Sequence, residues 1–119
     1  MAIIAKQELS GGTDGIGVKV AATASAGTTI HTANNVTGAG EYDEIYLYAT
    51  NTNTSAETLV IQFGGTTSVD NDIINVIQPN ETILVVPGLI LQNSLVVKAY
   101  STTANKVSIH GFVNRITAS

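Results

Sequence analysis

The chain has no cysteine among its 119 residues, which excludes disulfide frameworks, thiolate nucleophiles and Cys-ligated zinc. Tryptophan is missing too, there are two prolines, and charged residues make up 12% of the chain, about half the usual share. Lys and Arg total five against nine Asp and Glu, a formal net charge of −4. The few cations are scattered, whereas a surface that tracks phosphates needs them clustered to displace counterions, so nucleic acid is not an expected partner. Long hydrophobic runs are lacking as well. The greasiest stretch, Ile83 to Leu91, is about half the length of a membrane-spanning helix and is broken by Pro87-Gly88, so no membrane partner is expected. Lys6 and Glu8 interrupt the apolar start too early for a secretory leader.

What fills the chain instead is Thr, Ser, Asn, Val and Ile. Short neutral polar side chains lose little rotamer entropy when covered, so such a surface is suited to packing against neighbours. The length fits one domain large enough to bury a single core.

Residues 1–17 end in SGGTDGIG and read as an N-terminal arm with a Gly-rich hinge. The glycine spacing matches neither GxxxxGK[ST] nor GxGxxG, so no phosphate cradle is implied. From residue 18 to 119, β-type stretches recur every eight to twelve residues between turn-forming clusters. They are VKVAA, TTIHTA, DEIYLYATN, TLVIQF, DIINVIQ, TILVV, SLVVKAY and KVSIHGFVNRI, with turns expected at Pro79-Asn80 and Pro87-Gly88. No segment shows a sustained 3.6-residue period. The fold class is therefore all-β: a single antiparallel β-sandwich of about eight strands with an N-terminal arm, jelly-roll or immunoglobulin-like.

Period-two alternation assigns faces. Ile45, Leu47 and Ala49 fall on one side of their strand and Glu44, Tyr46, Tyr48 and Thr50 on the other. In the same way Leu95, Val97 and Ala99 oppose Val96, Lys98 and Tyr100, and Val107, Ile109 and Val113 oppose His110 and Phe112. If the strands share a sheet, Tyr46, Tyr48, Tyr100, His110 and Phe112 gather into an aromatic, weakly charged patch of the kind enriched where proteins meet. Ile3, Ile4 and Leu9 are expected to add an apolar anchor from the arm.

Chemistry-bearing constellations are sparse. His31 and His110 stand outside any HxH, HExxH or HxxxH spacing, and no serine lies in a GxSxG elbow. Asp70 and Asp72 flank Asn71, which reads as a turn rather than a cation loop, because the later glutamate and fixed glycine of an EF-hand are missing. Glu41, Asp43 and Glu44 read as solvated charges that blunt a strand end. No catalytic residue, cofactor or metal is expected, and the chain does not read as an enzyme.

The stretches VVPGLILQNSLVVKAYSTTANKVSIHGFVNRI and YLYATNTNTSAETLVIQFGGTT, about half the chain, resemble small virion proteins of tailed bacteriophages, in particular head decoration or cement proteins. That resemblance implies a β-sandwich subunit that forms a homo-oligomer, commonly a trimer, on the capsid exterior and clamps adjacent major capsid proteins. The alternative class is a carbohydrate- or host-surface-binding sandwich of a phage tail or fibre, displaying the same tyrosines to a sugar.

Overall fold

The computed structural model describes residues 3–117, and over that span it contains strands and no helix. In chain order they are β1 (Ile3–Gln7), β2 (Val18–Lys19), β3 (Thr28–Thr32), β4 (Glu41–Asn51), β5 (Glu57–Phe63), β6 (Asp72–Ile77), β7 (Thr82–Leu91), β8 (Val96–Ser101) and β9 (Val107–Thr117). They make two antiparallel sheets. Sheet A runs β1-β9-β4-β7, with β2 on β9 at the edge that β1 also uses; sheet B runs β3-β8-β5-β6.

The order of pairing decides between the two sandwich types. Only β5 and β6 pair with their neighbour in sequence. Moving outward from that hairpin, β4 pairs with β7, β3 with β8, and β1 and β2 with β9, alternating between the sheets. This is one long antiparallel ribbon rolled around a barrel axis, the winding of a jelly roll. The immunoglobulin arrangement instead places consecutive strands side by side in one sheet.

The alternation read from the sequence sets the layers. Ile45, Leu47 and Ala49 of β4 and Val107, Ile109 and Val113 of β9 face Leu59 and Ile61 of β5 and Val97 and Ala99 of β8, all of them buried. Each large aliphatic so enclosed contributes roughly 1.5–3 kcal/mol relative to exposure. Leu95, grouped with that core by its parity, instead lies ahead of β8 and is 42% exposed.

Two expectations about elements are corrected. The stretch from Thr82 does not end in a turn at Pro87-Gly88 but continues as β7 to Leu91. Its register against β4 skips Val85 and Gly88, so these residues form bulges inside a continuous strand. An edge position accommodates Pro87, whose missing N–H leaves no partner unpaired, and Gly88 takes φ +90°, which other residues resist. The second correction concerns the arm. Ile3 to Gln7 pair with Thr117 to Val113 of β9, and Leu9 is buried in the core, so the segment is an edge strand followed by a core anchor.

Candidate functional site

β4 and β9 pair over eleven positions, from Glu41↔Thr117 to Asn51↔Val107, which fixes what stands side by side on the outer face of sheet A. Tyr46 lies opposite Phe112, Tyr48 opposite His110, and Glu44 opposite Asn114. On the other flank β7 sets Pro87 beside Tyr46, Leu84 beside Tyr48 and Ile90 beside Glu44. Four of the five aromatic and imidazole candidates thus share one surface, as the alternation requires.

The centre of the surface is ordered by its own contacts. The Tyr46 and Phe112 rings stack at 4.9 Å between centroids and 18° between planes, and Lys6 Nζ sits 4.6 Å above the Phe112 ring. A stacked pair contributes about 0.5–1.5 kcal/mol beyond its buried area, and an exposed cation over a ring about 0.5–1 kcal/mol. The Tyr46 hydroxyl donates to Glu44 Oε1 at 3.1 Å, and Asn114 Nδ2 donates to the same oxygen at 3.2 Å. Donation to Glu44 pushes the Tyr46 phenol above its usual pKa, with burial and the Glu44 charge acting in the same direction. A Cβ on Gly88 would come within 3.0 Å of the Tyr46 ring, so the bulge glycine is what lets that ring lie over β7. His110 is placed likewise, with its imidazole against the backbone of Gly17.

Around this ordered centre the surface stays apolar and open: Tyr48, Leu84 and Ile90 are 40%, 46% and 57% exposed. A cleft of about 390 Å³ lined by Gly38, Ala39, Tyr42, Ile90, Leu91, Gln92 and Leu95 adjoins it at the end of β7. Ile4, paired with Ile116, extends the apolar strip on β1. Three candidates do not belong here. Ile3, though 63% exposed, pairs with Thr117 and so turns to the opposite face of the sheet from Ile4. Tyr100 lies opposite Val60 in sheet B, on the far side of the sandwich, because β8 is not a neighbour of β4 or β9. Leu9 is buried in the core and offers no anchor to a partner.

A polar cluster inside the sandwich was not legible as one. Asp43 has no exposed surface, which corrects its reading as a solvated strand-end charge. Its Oδ1 accepts from Arg115 Nε at 2.8 Å and Asn34 Nδ2 at 3.3 Å, and its Oδ2 from Arg115 Nη2 at 3.0 Å and His31 Nε2 at 2.8 Å. The backbone N–H of Ser10 donates to His31 Nδ1 at 3.1 Å, so the ring hydrogen resides on Nε2 and points at Asp43. Ser10, His31 and Asp43 are therefore in line, yet they do not form a nucleophilic triad. The Ser10 hydroxyl accepts from the Thr32 N–H at 2.7 Å, and the imidazole binds the serine's backbone instead. The cluster ties β3, β4, β9 and the segment after β1 together.

Asp72 accepts from Ser68 Oγ at 2.9 Å within the turn that enters β6. Among the described residues no group of three His, Cys, Asp or Glu side chains is arranged around a common point. Comparison with protein-family models, curated proteins and solved structures gives no match to this chain.

Proposed function

We propose that this chain is a structural subunit of a tailed-phage virion, a head decoration or cement protein that binds the assembled capsid exterior. The reading rests on the sequence resemblance described above. Its physical support is the open apolar surface around the stacked Tyr46 and Phe112. Rigid aromatics flanked by exposed aliphatics and few charges are what docking surfaces use, since such side chains surrender little entropy on contact. The partners are the major capsid protein and other copies of the chain, a trimer being the assembly that the resemblance implies. A protein that binds only the assembled shell adds its binding free energy to that state, and many repeated sites convert modest contacts into large resistance to heat and pressure. No reaction is involved.

Tyr48→Ala and Leu84→Ala test the surface without disturbing the Tyr46 stack. Each removes exposed contact area, and loss of a central anchor weakens capsid binding by about 2 kcal/mol, roughly 30-fold. The measurement is co-sedimentation with purified shells, together with copy number per particle. Undiminished binding by both variants, or a few copies confined to the tail, would remove the proposal, and the latter paired with glycan binding would favour the tail-module alternative.

A further inference from the structure

An open sandwich ends in edge strands whose outward backbone groups invite another strand. Three of the four edges here are blunted. β7 carries Pro87 and two register shifts, β3 has five residues and a bulge between Thr29 and His31, and the β1–β2 edge carries Lys6 and Lys19 and is broken between the two strands. β6 has none of these devices. DIINVI contains no Pro, Gly, Lys or Arg, its register is unbroken from Glu57↔Ile77 to Gln62↔Asp72, and Ile74 and Val76 are 60% and 58% exposed.

Hydrogen-bond parity shows which groups lie open. Phe63 N–H donates to Asn71 C=O at 2.8 Å, and Thr102 N–H donates to Thr58 C=O at 3.2 Å. Odd-numbered residues of β5 therefore face β6, and even-numbered ones face β8. In the observed register Ile73, Asn75 and Ile77 bond to β5, while Ile74 and Val76 turn their backbone groups to the free edge. The chain closes both flanks itself: Asp72 N–H donates to Val69 C=O, and Gln78 N–H to the Glu81 carboxylate, each at 3.3 Å. Among the described residues of this edge, the N–H and C=O groups of Ile74 and Val76 remain, together with the C=O of Asp72.

We propose that β6 is a homodimerisation edge, to which β6 of a second copy adds antiparallel about a two-fold axis through Asn75. In that register Ile74 faces Val76 of the partner subunit and Val76 faces its Ile74, so the free groups satisfy one another in four hydrogen bonds. The exposed Ile and Val side chains then cover each other on one face, and Asn75 meets its own copy on the other. An unrelated extended peptide would find the same donors, but the symmetric Ile-Asn-Val centre with its flanks closed on both sides fits this segment itself. The contact is short, so the dimer dissociates at concentrations on the order of micromolar or higher. Because β6 lies in sheet B, this proposal stands apart from the surface on sheet A.

A cysteine-free chain makes the test direct. Asn75 and its copy form a non-hydrogen-bonded pair with Cα atoms about 4.5 Å apart, within disulfide reach. Under mild oxidation Asn75→Cys is expected to cross-link to a dimer at least tenfold faster than Thr102→Cys, an exposed control in the same half of the molecule. In sedimentation equilibrium the wild type should show a two-fold self-association step that the double variant Ile74→Lys, Val76→Lys abolishes. Val76→Pro should do the same, since the missing N–H is one that faces the free edge. Equal cross-linking of the two cysteine variants, or an unchanged dimer constant in the lysine variant, overturns the proposal. A dimer built on sheet A would appear in sedimentation yet leave Asn75→Cys no faster than its control.

Discussion

Asp43 keeps its charge inside the sandwich because three side chains donate to it. Burial alone would raise its pKa; hydrogen bonds from Arg115 and His31 outweigh burial and hold the carboxyl below the usual 3.8. Glu57 is lowered for a similar balance, burial opposed by donation from Asn53 and the Thr103 N–H. A carboxylate whose folded pKa is depressed stabilises the fold fully above its unfolded value, near pH 4, and loses that contribution as pH falls toward the folded value. Urea midpoints should therefore drop as pH falls below about 4, with a shallower drop in Asp43→Asn. Arg115→Ala leaves the carboxylate buried beside His31 and Asn34 alone. Since the arginine side chain is about one-third exposed, the expected loss is about 2–4 kcal/mol, at the lower side of what breaking a buried pair brings. A stability unchanged within about 0.5 kcal/mol would show that the pair is not a structural tie. By strand parity Asp43 falls with Ile45 and Arg115 with Val113 on the inner side. The neighbouring Glu41 and Glu44 suggested solvent instead, and no local pattern connects Asp43 to a partner in the last strand.

Among the elements, β7 shows how a turn signal becomes a strand. Pro79-Asn80 does turn the chain, but at Pro87-Gly88 β7 has β4 beside it over nearly its whole length, and the ladder outweighs the local preference. Gly88 then carries two requirements, a positive φ and room for the Tyr46 ring. Gly88→Val is expected to lose about 2 kcal/mol from strain and to disturb the Tyr46–Phe112 stack, visible as a changed near-UV tyrosine signal. An unaltered signal with full stability would mean that the bulge adapts without the glycine. β1 was hidden for the opposite reason: an edge strand of five residues, exposed along nearly all of it, lacks the alternation that marks a half-buried one. A chain starting at Glu8 should therefore remain folded with a modest loss of stability. One starting at Gly11 loses Leu9 from the core and the Ser10 bond to His31, and should fall by a further 2–5 kcal/mol in chemical denaturation. Equal stability of the two truncations would contradict the anchoring role of Leu9.

For the whole molecule, sandwich architecture followed from spacing and alternation, whereas the winding did not, because which strands pair is a property of the closed ribbon and not of any stretch of sequence. That winding has a kinetic consequence. β5 and β6 form the one hairpin of sequence neighbours, and every other ladder joins strands separated by at least two others. Loops must close before such pairings are rewarded, so folding is expected on the order of milliseconds to seconds rather than microseconds. β9 lies between β4 and the two N-terminal strands, which makes it the member that completes sheet A. The Tyr46–Phe112 stack exists only once β4 and β9 are in register, and the chain has no tryptophan to mask tyrosine emission. Stopped-flow refolding of a Tyr100→Phe variant, whose remaining tyrosines all lie on β4, followed by tyrosine fluorescence should therefore report the closure of sheet A. Val113→Ala, which weakens β9 in the core, should slow refolding if the β4–β9 ladder forms in the transition state and should mainly speed unfolding if β9 docks last. The rolled topology favours the second outcome, in which the β5–β6 hairpin and the β4–β7 ladder around it form first. A refolding rate lowered by the full share of the stability lost would reverse that order.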